Sequence, residues 1–387
     1  MSDGGKKLEP STLLAGRCRI AIVFTLVPRR EAPLAGTKPS APVCTFARIR
    51  TWSNGLVDLQ IAASAQGMIL AASTMPPTPT LRYATIGDVD EPFDDWAPNL
   101  YAQTIATTER IFPCAASGRQ LMGGGARERR GAHDELWTTV ARFPHPSGTG
   151  LFGPGGRMDS ANIDLTDLDC AAVDDLTIFA GLGPYRGLEH SNVFLDVADS
   201  PRKEVHEETI DFPTRIRSDA SREGFGRFMI HNLHPQIGFV DFHTVQIQAE
   251  HASDELAVAD EGDVAISGAE VDAVWVDETP RALRWRRYDR ALHDLGHGVL
   301  AGGAVFSPVL AHGGDGVVAI AWGERVDGGV RIRVGQGRTA RDAALASMPI
   351  EVGKSARSIV VAAGGDRPWV AWLEDGIAQT TRLACSK

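Results

Sequence analysis

Three clusters of polar side chains carry the groups needed to grip a ligand. The first holds Arg129, Arg130 and His133, the second Tyr185, Arg186 and His190, the third His231 and His234. A guanidinium fork matches the paired oxygens of a carboxylate, sulfate or phosphate. A tyrosine ring can stack on a sugar or a base. Together the clusters outline a candidate patch for an anionic or glycan ligand. Glu128, Glu135 and Glu189 dilute its positive charge, so an ordinary solvated rim is the competing reading.

Other chemistries find less support. His231, His234 and His243 suggest zinc, which needs three or four converging ligands. The first two lie across an expected strand end, where their directions diverge, so no metal site is assigned. Adjacent acids occur at Asp94-Asp95 and Glu207-Glu208, in connecting segments. A glycosidase needs two carboxylates facing each other across a substrate at about 5–10 Å, which adjacency does not supply. No Gly-x-Ser-x-Gly elbow, phosphate-cradling glycine loop or His-Glu-x-x-His helix is present. No catalytic residue is assigned and no cofactor is expected.

The elements that would position these residues come from a sevenfold repeat. Each copy is a small-residue strand, a tight turn, a second apolar strand, a polar loop and a third strand. Ala62-Ala63, Ala115-Ala116, Ala171-Ala172 and Ala362-Ala363 mark first strands. Leu70, Leu121, Phe179, Met229, Val274, Ala321 and Ala371 mark second strands. Four strands per unit at roughly 40–50 residues is the period of a propeller blade. Small residues suit the strand nearest the axis, where seven sheets crowd together. Trp275, Trp322 and Trp372 fall at one address of the last three copies, where an aromatic ring can fill the space between blades.

The final copy has strands at 359–363, 368–373 and 377–384, and then the sequence stops short of a fourth. An unpaired sheet edge invites aggregation. The alternating segment 44–52 is expected to pair with the last blade and close the ring; residues 19–27 compete for that role. The predicted fold is all-β: a seven-bladed β-propeller over 44–387, closed by an N-terminal strand in the last blade, with an N-terminal arm over 1–43.

The run from Ser307 to Trp322 resembles a repeat of the seven-bladed β-propellers, above all the irregular sialidase-like and lectin-like ones. It lacks the Ser-x-Asp-x-Gly-x-x-Trp box and the Gly-His…Trp-Asp signature. The resemblance therefore implies a fold and no catalytic residue. Propellers bind at the face made by loops between second and third strands, and the three polar clusters fall in such loops of blades two to four. The expected function is a non-enzymatic recognition scaffold for a protein partner or an anionic or glycan ligand on that face. The alternative is a carbohydrate-active hydrolase or lyase using the same face.

A net charge of −10 argues against non-specific nucleic-acid binding. No run of 18 apolar residues exists to span a membrane. The segment Leu13–Cys18 resembles a lipoprotein cleavage box one residue too long, but the apolar run Ile20–Val27 follows it instead of preceding it. A cytoplasmic protein is expected, export being the alternative. Five widely spaced cysteines describe neither a disulfide framework nor a zinc site. Cys114 and Cys170 are read as small core residues. Cys44 and Cys385 would share a blade on ring closure and are a possible disulfide, with two free thiols as the alternative.

Overall fold

The computed structural model describes residues 44–52, 54–64, 67–74, 81–86, 97–98, 109–117, 121–129, 135–143, 157–158, 167–174, 176–184, 191–197, 208–210, 213–231, 234–241, 246–252, 259–268, 270–313, 316–364 and 367–385. Strands dominate them. β1 (Cys44–Phe46) and β2 (Arg50–Thr51) come first. Sheet one is β3 (Leu56–Ser64), β4 (Gly67–Thr74), β5 (Leu81–Ile86) and β6 (Ala97–Pro98). Sheet two is β7 (Glu109–Ser117), β8 (Leu121–Arg129), β9 (Glu135–Phe143) and β10 (Arg157–Met158). Sheet three is β11 (Asp167–Val173), β12 (Leu176–Pro184), β13 (Ser191–Val197) and β14 (Glu208–Ile210). Sheet four is β15 (Pro213–Ala220), β16 (Gly224–His231), β17 (His234–Asp241) and β18 (Gln246–Ala252). Sheet five is β19 (Ala259–Ser267), β20 (Glu270–Glu278), β21 (Arg281–Asp289) and β22 (Asp294–Gly302). Sheet six is β23 (Val305–Gly313), β24 (Val317–Val326), β25 (Gly329–Gly337) and β26 (Met348–Val352), with a short helix α1 (Ala340–Leu345) before its last strand. Sheet seven is β27 (Arg357–Gly364), β28 (Arg367–Glu374) and β29 (Ile377–Cys385), and both β1 and β2 pair with β29.

Every sheet is an antiparallel meander, and the first strands of successive sheets pack together. β3 lies against β7, β7 against β11, and so on to β27, which lies against β3. The arrangement is all-β and propeller-like. Its N-terminal strand is the outer strand of the last sheet, with Cys44 opposite Cys385 and Arg50 opposite Thr380. Residues 19–27, the competing closure, lie outside the described residues.

Side-chain size follows position. Ala62, Ala63, Ala171, Ala172, Ala362 and Ala363 are buried on first strands, where neighbouring backbones approach. Bulk is buried further out, as at Leu70, Phe228, Trp275, Trp322 and Trp372. Hairpins supply the reversals. Asp375 and Gly376 both take positive φ between β28 and β29, the left-handed pair that a two-residue hairpin turn demands.

The three tryptophans each belong to a repeated unit. The Trp275 indole donates to Asp277 two residues on, at 2.8 Å, and the Trp322 indole donates to Glu324, at 3.1 Å. Arg284 reaches Asp277 from the third strand, and Arg333 reaches Glu324. Those arginines are the register partners of the two tryptophans. In sheet seven Trp372 faces Gln379, which donates to Glu374 at 3.0 Å.

Two features depart from expectation. Cys114 and Cys170 are joined by a disulfide, with Cα atoms 5.8 Å apart, so they are not merely small core residues. Their adjacency on β7 and β11 is what brings them within bridging range. The second departure is α1. Thr339 caps it by accepting from the Asp342 N–H at 3.0 Å, and it buries Ala340, Ala343 and Ala344. Gly335 lets it sit so close, because a Cβ there would run into the Ala343 carbonyl.

Candidate functional site

The first strands are polar where they begin and apolar where they end. Asp58 precedes the alanines of β3, and Asp167 and Asp169 precede those of β11. β15 carries Arg215, Arg217 and Asp219, and β19 carries Glu261 and Asp263. Together these strands enclose a cavity of about 530 Å³, with His312 of β23 also in its wall.

Most of these carboxylates reach from one sheet to the next. Asp169 accepts the Ser218 N–H at 2.6 Å and the Ser218 hydroxyl at 3.0 Å. Asp219 accepts the Ile266 N–H at 2.8 Å, and Asp263 accepts the Leu310 N–H at 2.8 Å. Asp167 accepts the Ile216 N–H, and Glu261 accepts the Ser307 N–H. The sequence separations run from 46 to 49, one repeat in each case. An acid on one first strand therefore satisfies a backbone donor on the next. Asp58 accepts from its own neighbour, Leu59, at 2.8 Å.

Arg217 sits at the centre of this charge. It donates to Asp167 at 2.9 Å and to the Ile216 carbonyl. Burial works against its charge, yet Asp167, Asp169, Asp263 and Asp58 together hold its pKa above the usual arginine value. The acids feel the same burial in the opposite sense. Burial raises Asp58 to about 6, with Arg217 pulling the other way. Burial raises Asp219 to about 7, against the N–H groups of Ile266 and Ala220. Burial and then the Asp169 charge raise Asp263 to about 8. Asp169 is also raised, chiefly by burial. His312 is pushed down to about 4 by burial alone. At neutral pH the cavity wall therefore offers neutral carboxyls that can donate, carboxylates that accept, and one guanidinium.

Of the residues expected from the sequence to bind ligand, Arg129 is the last of β8, His231 the last of β16 and His234 the first of β17. His231 and His234 are directly opposite in register. Arg130, His133, Tyr185, Arg186 and His190 lie outside the described residues. Strands alternate in direction, so second strands end where first strands begin. Arg129 and His231 thus stand at the same end of their sheets as Asp167 and Arg215. Sequence reading missed the cavity acids. Their signal was an acid or Ser-Asp pair at the head of the small-residue strand, which resembles ordinary turn chemistry. Among the described residues no group of three or more His, Cys, Asp or Glu is arranged to hold a metal ion, and no helix is long and apolar enough to cross a membrane.

No protein-family model matches the sequence, and no curated protein matches it either. Solved structures share parts of the backbone arrangement. TolB from Acinetobacter baumannii is 10% identical over 76% of this chain and 66% of its own, with a TM-score of 0.43. An apocarotenoid oxygenase from Synechocystis is 10% identical over 76% of this chain and 71% of its own, with a TM-score of 0.45. A prolyl endopeptidase is 9% identical over 87% of this chain and 51% of its own, with a TM-score of 0.49. The chain thus spans about half the length of the last. At these scores the likenesses bear on neither site nor activity.

Proposed function

We propose that the seven sheets are the blades of one closed β-propeller with irregular, sialidase-like or lectin-like repeats, acting as a non-enzymatic recognition scaffold. Its ligand is a protein partner or an anionic or glycan molecule bound on the face of blades two to four. The observation that carries this reading is topological. The second strands of sheets two, three and four end where their first strands begin, the end at which Asp167, Arg215 and Arg217 head the first strands of sheets three and four. The use of the cavity acids points the same way. Asp169, Asp219 and Asp263 are each engaged by a backbone N–H of the next sheet, a structural task. A glycan array and pull-down with wild type and the double variant Arg130→Ala, Arg186→Ala test it. Binding that falls at least tenfold in the variant supports the patch, and unchanged binding to every hit removes it.

One observation favours a carbohydrate-active hydrolase or lyase as the second reading. Asp219 and Asp263, raised to about 7 and about 8, share a cavity wall with His312. Shortened glycan products that disappear with Asp219→Asn would make that reading the better one. The Cys114–Cys170 bridge favours the exported alternative for the compartment, because disulfides are rare in reducing cytosol.

A further inference from the structure

β22, the outer strand of sheet five, is nine residues long. The described outer strands β6, β10, β14, β18 and β26 have two, two, three, seven and five residues. Outer strands are commonly blunted by charge or proline. β26 carries Pro349 and Glu351, and β18 carries Glu250. β22 after Asp294 reads Leu295-Gly296-His297-Gly298-Val299-Leu300-Ala301-Gly302, with neither device; bulges at Leu295 and Leu300 interrupt its register with β21 and leave the stretch between them regular. Leu295, His297 and Val299 are exposed along it, the two aliphatic residues at 51% and 54%. An antiparallel sheet normally turns polar residues to water.

The strand is also self-complementary. From His297 outward it runs Gly then Leu in one direction, and Gly then Val in the other. An antiparallel copy centred on His297 sets Leu295 against Val299 of the second copy, twice. It also sets Gly296 against Gly298 of the second copy, where no side chain obstructs the approach. Directly opposed aliphatic residues stabilise such a pair. On the axis His297 meets His297 of the second copy, each beside its own Asp294. Asp294, the strand's one acid, is held within its own copy by Arg286 at 2.8 Å and His297 at 2.9 Å, and would face Leu300 of the second copy.

We propose that β22 is a self-association edge, joining two copies sheet five to sheet five about a two-fold axis at His297. Pairing about His297 spans residues 294–300 and is about 24 Å long at about 3.4 Å per residue. One strand edge of that length covers less than the roughly 1,200 Å² of a standard interface. The dimer is therefore weak and concentration-dependent. An isologous contact closes at two. This proposal is independent of the ligand and of the face that binds it.

Sedimentation velocity of the whole chain over a concentration series tests it, using wild type and the double variant Leu295→Lys, Val299→Lys. The wild type is expected to shift from monomer to dimer, and the variant to associate at least tenfold more weakly at an unchanged melting temperature. Oxidative cross-linking of His297→Cys fixes the register and stands even if the lysine variant misfolds. It should dimerise at least tenfold faster than Asp327→Cys, placed in an exposed turn of sheet six. A wild type that stays monomeric, a series of higher oligomers, or equal cross-linking of the two cysteine variants would overturn the proposal.

Discussion

Asp263 links two sheets with one side chain, accepting from Val264 on its own strand and Leu310 on the next. Asp263→Ala leaves the buried Leu310 N–H unpaired, at a cost of about 1–3 kcal/mol in chemical denaturation. Asp263→Asn keeps an acceptor oxygen and should lose less. Titration supplies a second readout. Asp219 and Asp263 have folded pKa values raised above the unfolded value, so the folded state binds more protons than the unfolded one. Their contribution is fully present below about pH 4 and is lost as pH rises through about 7 and about 8. His312, lowered to about 4, opposes this only below about pH 6.5. Between pH 6.5 and 8, stability should therefore fall by on the order of 2 kcal/mol. Asp263→Asn should flatten that slope; an unchanged or rising profile would remove the buried-proton account. None of this was legible in the sequence. An aspartate before a small-residue strand reads as a turn former, and only the fold sets it one repeat away from its N–H partner.

At the scale of elements the sequence was more informative. The spacing of Trp275, Trp322 and Trp372 placed them on equivalent second strands because a repeat preserves register. What the spacing hid is the partner set, since the acid two residues on and the third-strand Arg or Gln are unremarkable singly. Trp372 is fully buried. Trp372→Ala should cost about 3–5 kcal/mol in a denaturant titration, and a loss below 1 would deny it a core role. The helix α1 was also missed. Six residues beginning Ala340-Arg341-Asp342 are too few for a clear helical period, and the glycines that seat it read as strand breakers.

The propeller-like arrangement as a whole depends on how its ends meet. Small first-strand residues and regular spacing made the propeller-like plan legible. The loops expected to bind ligand were legible only as residue types, because loop geometry is not encoded in a strand period. The Cys114–Cys170 bridge was not anticipated although both cysteines fall at equivalent points of neighbouring first strands, since a small side chain is expected there whether or not it bonds. Closing a loop of sequence separation 56, it should stabilise by about 4 kcal/mol on the chain-entropy model. Cys44 is also disulfide-bonded, and the residue opposite it in register is Cys385. The proposed partner is that residue, which would lock the N-terminal strand into the last sheet. Non-reducing peptide mapping of the intact chain tests this closure most directly. A linked peptide pair containing Cys44 and Cys385 is predicted, beside one containing Cys114 and Cys170. Cys44 joined to Cys18, or Cys385 recovered as a free thiol, would contradict it.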